Sequence, residues 1–281
     1  MECRNCGFAV PPSKRDCQAC GTDNGYPNVR LAQRPEEILQ LAKRVEHAEV
    51  STSARKCKDV LDRFGEAVLG SHAVMAHSLG GILNILESDR RNYTSYMQQV
   101  RSGSRVPEEN EFDDIRPQFE SALFPNFHEN ILFACLAIRT DAFLTGYGSY
   151  ALILKTNMIE QRATVFEENP YSFFRKLGLR VVDRIPPGYR ATWAHRDLIA
   201  KAKLHAEISS GTRDEEFTDI LLRDRGGSAN SDYIEVHVFG TINRNSIERV
   251  VCHRPKHRAD QVLLRKLEKD LTAIGATLEV A

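Results

Sequence analysis

Four cysteines close together at the start of the chain, Cys3, Cys6, Cys17 and Cys20, form two Cys-x-x-Cys pairs separated by ten residues. That spacing suits one tetrahedral zinc ion, each pair giving two thiolates while the loop between them folds back. Gly7 and Gly21 follow the second cysteine of each pair, where the chain must turn sharply and glycine tolerates a positive φ. Pro11 and Pro12 stiffen the intervening loop. A segment of about 25 residues cannot bury enough apolar surface to fold alone, so bound metal would supply the folding energy. The competing arrangement is two disulfides, which needs an oxidising compartment. The expectation is a structural zinc ribbon over residues 1–24 with those four cysteines as its ligands.

A chain of 281 residues has room for that ribbon and one large domain or two moderate ones. Charged residues make up 27% and the net charge is zero, which argues against coating nucleic acid by bulk electrostatics. No run of eighteen apolar residues is present and the first residues lack a signal peptide's apolar stretch, so no membrane contact and a cytoplasmic location are expected. Cys57, Cys135 and Cys252 are scattered and read as buried free thiols.

Charge is uneven along the chain. Arg175 to Lys203 carries eight Lys/Arg against Asp183 and Asp197, with Tyr171, Phe173, Phe174, Tyr189 and Trp193 among or just before them. Arg105 to Glu120 reverses the balance, with six acids against two arginines. The ribbon is near neutral in side chains, which suits a protein-docking or regulatory element better than a phosphate-gripping one.

Residues 21–34 read as a turn-rich connection, the 25–34 part being the linker to a domain over 35–281. Pro35, followed by Glu36 and Glu37, opens a helix bearing Ile38, Leu41, Ala42, Val45 and Ala48 at helical spacing. Ser51-Thr52-Ser53 reads as the cap of a second helix with Cys57, Val60, Leu61, Phe64 and Val68 on one face. Helical patterning returns over His77–Leu86, softened by Gly80-Gly81, and again over Glu129–Ile138.

From Gly146 the period changes. Tyr150–Leu154 and Ala163–Phe166 read as strands, and 171–177, 193–209 and 213–223 as helices. Asp232–Phe239 alternates, with Ile234, Val236 and Val238 on one face and Tyr233, Glu235, His237 and Phe239 on the other. Arg249–His253 reads as a strand, Asp260–Ile274 as an amphipathic helix and Thr277–Val280 as a closing strand. The expected class is α+β: a zinc ribbon, a helical segment, then a mixed, mostly antiparallel sheet with helices.

Glu235 and His237 stand two residues apart on one strand face flanked by aromatics, an arrangement that offers a carboxylate to a partly enclosed pocket. The competing reading is an edge strand whose glutamate faces water. No Gly-rich phosphate loop or His-Glu-x-x-His motif is present, and no tight Asp/Glu/His cluster supports a metal nuclease.

The segment Ile234-Glu-Val-His-Val-Phe-Gly-Thr-Ile-Asn-Arg-Asn-Ser-Ile-Glu-Arg-Val-Val251 resembles the C-terminal catalytic strand of DarT-like bacterial ADP-ribosyltransferase toxins. His77-Ser-Leu-Gly-Gly-Ile-Leu-Asn-Ile-Leu86 is similar to their first motif, a histidine near a strand end followed by an apolar helix. Tyr147-Gly-Ser-Tyr-Ala-Leu-Ile-Leu-Lys155 and Arg162-Ala-Thr-Val-Phe166 resemble the region between. The resemblance spans residues 70–255. It departs from arginine-modifying members, where a second glutamate stands at the position of His237.

The resemblance implies an ADP-ribosyltransferase-like fold and cleavage of the nicotinamide–ribose bond of NAD. Glu235 would accept a ribose hydroxyl and stabilise the oxocarbenium-like transition state, with His237 orienting it or the acceptor. Tyr147 or Tyr150 would stack on nicotinamide, Arg162 would pair with the pyrophosphate and His77 would hold the ribose or amide. Each has a plain structural alternative: strand packing for the tyrosines, a surface arginine, a helix-surface histidine and a cross-strand role for His237.

Under this reading the chain is an NAD-dependent ADP-ribosyltransferase, a toxin or phage-defence effector. Its acceptor would be a protein or single-stranded nucleic acid bound by residues 171–203, and an antitoxin or other protein would dock on the ribbon. The alternative is a non-enzymatic regulator in which the ribbon binds nucleic acid or protein.

Overall fold

The computed structural model describes residues 2–104, 111–225, 231–254 and 258–280, without the side chains of 111–114, 258 and 259. The acid-rich stretch beginning at Arg105 lies outside the described residues as far as 110. The cysteine-rich segment leads into α1 (Pro27–Ala32), which occupies the expected linker, and then into α2 (Pro35–Ala54) and α3 (Lys58–Leu69). Pro35 at the first position, with Glu36 and Glu37 in the first turn, starts α2 as the sequence implies. The Ser51-Thr52-Ser53 triplet caps nothing. It lies in the last turn of α2, where Thr52 Oγ1 donates to the Ala48 carbonyl at 2.8 Å, and α3 begins after Cys57.

Next comes a strand not foreseen from the pattern, β1 (His72–His77), and then α4 (Leu79–Leu86). Ser78 caps α4, its Oγ accepting from Gly81 N at 3.2 Å, so the helical pattern read from His77 is a strand end joined to a helix. After α5 (Tyr96–Arg101) and α6 (Glu111–Leu123), the segment expected to be helical over 129–138 is instead β2 (Ile131–Ala137). Its Ile-Leu-Phe-Ala-Cys-Leu-Ala run is apolar throughout because both faces of a central strand are covered. That erases the period by which helix and strand are told apart.

The second half follows the expected order more closely: β3 (Tyr150–Leu154), α7 (Thr156–Ile159), β4 (Ala163–Phe166), α8 (Pro170–Leu177) and β5 (Arg190–Thr192). The helix expected over 193–209 is α9 (Arg196–Leu204) between single 3₁₀ turns, and that over 213–223 is a 3₁₀ turn, α10 (Phe217–Leu221) and β6 (Leu222–Arg223). β7 (Asp232–Tyr233), β8 (Glu235–Phe239), β9 (Ile247–Cys252), α11 (Arg258–Ala273) and β10 (Thr277–Val280) complete the chain.

Among the described residues eight strands form one sheet in the order β10-β9-β3-β1-β2-β8-β4-β5, antiparallel at every junction except β10 on β9. The fold is α+β, with a large, mostly antiparallel sheet between helices. Alternation sorts the side chains to two faces. Ala73, Met75, Leu136, Leu152, Val236 and Val238 share one core with Leu41 of α2, Phe64 of α3 and Ile199 of α9. On the other face Val74, Cys135 and Ile153 pack with Phe143 and Leu144, while Ile131 and Phe166 pack with Leu123 of α6 and Phe173 and Phe174 of α8. β8 lies between β2 and β4, so its position is interior and the edge-strand reading fails.

Candidate functional site

The thiols of Cys3, Cys6, Cys17 and Cys20 all lie within 4.8 Å of one another, with 3.6 Å separating Cys3 from Cys20 and Cys6 from Cys17. Four sulfurs about 2.3 Å from one tetrahedral ion stand about 3.8 Å apart, whereas a disulfide needs about 2.0 Å. The set fits one shared ion, consistent with structural zinc. The two knuckles also repeat one another: Gly7 N donates to the Cys3 carbonyl and Gly21 N to the Cys17 carbonyl, each at 2.9 Å, with φ of +70° and +71° at the glycines.

The second constellation lies on β8. Glu235 and His237 point to the same face, and both are buried, at 4% and 2% exposure. Their side chains meet at 2.7 Å, Glu235 Oε2 to His237 Nε2. Phe124 and Phe133 surround the imidazole edge-on at ring distances of 4.8 and 5.2 Å. Burial pushes the carboxyl of Glu235 up to about 8 against the pull of the Arg116 guanidinium. Burial, reinforced by Arg190, holds His237 well below the usual imidazole range. Around neutral pH the contact is therefore between neutral groups, the carboxyl O–H donating to Nε2.

Arg116 of α6 acts on Glu235 by its charge and lies 5.4 Å from the Phe133 ring centre. Its Nε donates to Glu120 Oε1 at 2.5 Å and its guanidinium lies 4.4 Å from the Tyr96 ring centre. Burial raises the Glu120 carboxyl, with Arg116 opposing. Two residues before Glu235, Tyr233 Oη accepts from Asn169 Nδ2 at 3.2 Å, and Tyr147 also hydrogen bonds Tyr233. Burial raises Tyr233 well above the ordinary phenol range, and the charges of Glu235 and Tyr147 add to it.

Of the residues singled out from the sequence, the structure thus brings together Glu235, His237 and Tyr147. It sets three others apart. Arg162 donates to the carbonyls of Met158, Phe239 and Thr241 at 2.9, 2.6 and 2.9 Å, so its guanidinium ties the end of β4 to the turn after β8. His77 and Tyr150 pair across β1 and β3, in phase with Met75 and Leu152 and hence on the sheet face opposite Glu235. The His77 ring packs edge-on to Tyr93 at 4.8 Å, and Gly148 presses so closely on the His77 backbone that a Cβ there would stand 2.4 Å from its carbonyl. Tyr150 lines a cleft of about 370 Å³ with Leu79, Phe143, Ser149, Arg254 and Asp260.

The basic aromatic stretch is folded inward. Arg190 pairs with buried Glu37 at 3.1 Å, Arg196 donates to the Val68, Leu69 and Trp193 carbonyls, and Lys203 pairs with Asp232. Lys176, Arg180, Arg184 and Lys201 pair with Glu168, Asp183, Glu36 and Asp62. Phe173, Phe174 and Trp193 are buried and offer no surface on which bases could stack. Arg175 lies 5.9 Å from the centre of the partly exposed Tyr171 ring.

No protein-family model matches the chain, and no curated protein matches it. The site stands on its geometry. Sequence reasoning set Tyr233 on the face of Glu235 but passed over Arg116, which acts on Glu235, Glu120, which pairs with Arg116, and Asn169, which bonds Tyr233. Arg116 and Glu120 stand at i and i+4 inside the acid-rich stretch, a spacing that marks an ion pair on one helix face but not what the face covers. Among the described residues no helix is long and apolar enough to cross a membrane.

Proposed function

We propose that the protein is an NAD-consuming ADP-ribosyltransferase in which Glu235 carries the chemistry, with a protein or nucleic acid as acceptor. The observation that supports this most is a carboxyl group buried on a central strand, with its proton affinity raised and a histidine at 2.7 Å. Burying such a group is costly, and a hydrophobic residue of similar volume would hold the strand at least as well.

The cationic nicotinamide ring of bound NAD favours the ionised form of Glu235. The carboxylate then accepts a hydrogen bond from a ribose hydroxyl and stabilises positive charge as the bond from C1′ to nicotinamide breaks, its electron pair leaving with nicotinamide. The acceptor attacks C1′ and releases its proton to the carboxylate. Once Glu235 has given its proton to solvent, neutral His237 takes the Nε2–H tautomer and donates to the carboxylate across the same contact, which keeps it oriented. Tyr147, 44% exposed, lies between Thr145 and Ser149 of the cleft lined by Tyr150 and hydrogen bonds Tyr233, two residues from Glu235.

The test is nicotinamide release from NAD by the wild-type chain and by Glu235→Gln. The substitution is expected to lower the rate by about a thousandfold. An unchanged rate removes Glu235 from the mechanism, and no release by the wild-type chain removes the reading.

The separation of His77, Tyr150 and Arg162 from Glu235 favours a second reading, a non-catalytic module that docks a protein on the ribbon. Phe8, 48% exposed beside Cys6, supplies an apolar contact there. This reading predicts no nicotinamide release, and a protein partner lost on Phe8→Ser with the metal retained.

A further inference from the structure

The cysteine-rich segment is fastened to the sheet at the strand that carries Glu235 and His237. Asn28 of α1 is 1% exposed, and its Nδ2 donates to the carbonyls of Arg162 at 2.9 Å and His237 at 3.1 Å, with Thr164 Oγ1 3.4 Å away. Thr164 of β4 pairs with His237 of β8, and Arg162 immediately precedes β4. The Arg162 carbonyl also accepts from Phe239 N at 3.0 Å, so the amide of Asn28 joins the ladder where β4 and β8 meet. Beside it the Tyr26 ring packs on Phe239 at 5.7 Å.

The same short helix is held from the other side by the cysteine-rich loop. Arg30 donates to the Pro12 and Lys14 carbonyls, both at 2.8 Å, and to the Gly25 carbonyl at 2.6 Å. Arg15 donates to Tyr26 Oη at 2.8 Å, and Asn24, buried beside Cys3, donates its backbone N–H to the Arg15 carbonyl at 2.9 Å. α1 has six residues, too few to persist as a helix without tertiary contacts. The loop carbonyls that hold Arg30 are fixed in turn by the two knuckles, whose fold depends on bound metal.

We propose that a thiophilic divalent cation, zinc, bound by the four cysteines controls the order of the β4–β8 pair through Asn28. The cysteine-rich segment is then a metal-operated clasp on the site strand and not an independent appendage. Metal loss frees the Pro12 and Lys14 carbonyls, α1 frays, and Asn28 leaves the ladder that positions the backbone of His237. This coupling is independent of whether NAD is turned over.

Hydrogen exchange read by mass spectrometry on the full chain tests it, with zinc bound, after zinc removal by a chelator, and for Asn28→Ala with zinc bound. Peptides covering 160–167 and 234–240 report on β4 and β8, and one covering 247–252 of β9 serves as internal reference. Zinc removal is expected to speed exchange in the first two by about tenfold, the size that loss of one buried hydrogen bond gives, with the reference unchanged. Asn28→Ala is expected to do the same while still binding one zinc per chain. Unchanged exchange at β4 and β8, either on zinc removal or in Asn28→Ala, overturns the proposal. If chelation unfolds every peptide together, the Asn28→Ala comparison alone decides, with the same two outcomes.

Discussion

The carboxyl of Glu235 meets the imidazole of His237 at 2.7 Å, inside the protein and on one strand. Two ionisable groups share that contact, yet burial moves each toward its neutral form, the acid upward and the base downward. The pair is therefore a neutral hydrogen bond over the middle of the pH range and not an ion pair.

Its titration sets a stability profile. Folded, the pair holds one proton, on Glu235, up to about pH 8. Unfolded, it holds two protons below the ordinary carboxyl value of 4.5, one from there to the ordinary imidazole value of 6.5, and none above. The pair's contribution to stability is thus flat between 4.5 and 6.5 and falls on either side, losing about 2 kcal/mol as the pH rises from 6.5 to 8. Urea unfolding of wild type and Glu235→Gln across this range checks it. The amide cannot ionise, so the alkaline slope should vanish in the variant, and an identical slope in both assigns it to another group.

The same group governs the proposed activity. Ionised Glu235 is the working form, so the rate of nicotinamide release at NAD well below saturation, which reports the free protein, should rise with pH up to about 8 and then level. A rate that already levels at pH 5 would mean an ordinary exposed carboxylate does the work.

Arg116 stands between two buried acids, bonded to Glu120 and acting on Glu235. Arg116→Met removes the guanidinium that pairs with Glu120 and draws on Glu235, and is expected to cost about 3–5 kcal/mol, measured by chemical denaturation. Adding Glu120→Gln should recover part of that loss, because the stranded charge is then gone. Full additivity of the two substitutions would show that they do not interact.

Arg190 separates two uses of the basic stretch. Its side chain is 9% exposed, paired with Glu37 at 3.1 Å and bonded to the Leu123 carbonyl. Arg190→Ala should therefore destabilise the fold by about 3 kcal/mol or more, by leaving Glu37 buried and uncompensated. A nucleic-acid contact would behave otherwise: salt-dependent affinity would drop while the melting temperature stayed constant.

What could be read from the residues alone divides along physical lines. Local chemistry was legible: the paired cysteines with their glycines, Pro35 opening α2, the strand at Tyr150–Leu154 and the final helix and strand all depend on neighbours in sequence. The centre of the sheet was not. β1 and β2 are apolar on both faces, so no period marks them, and β2 passes for a helix. The alternation over Asp232–Phe239 correctly set Glu235 and His237 on one face, but the burial of that face depends on α6 and α8, far away in sequence. Asn28 was hidden for the same reason, since its three acceptors lie more than a hundred residues downstream.

The knuckle glycines permit a test of metal-coupled folding that leaves the thiols intact. Gly21 sits at φ +71° with no neighbouring atom within 4 Å of where a Cβ would stand. Gly21→Ala therefore meets no clash, and its cost is the left-handed backbone alone, about 1–2 kcal/mol. Because the knuckle folds as it binds metal, that cost should appear as zinc affinity weakened about five- to thirtyfold, read by competition with a chelating dye. Gly80→Ala in α4 also enters open space, but without a positive φ, and should leave zinc affinity unchanged. Equal affinities for Gly21→Ala and wild type would mean that the Cys17–Cys20 turn does not tighten around the metal.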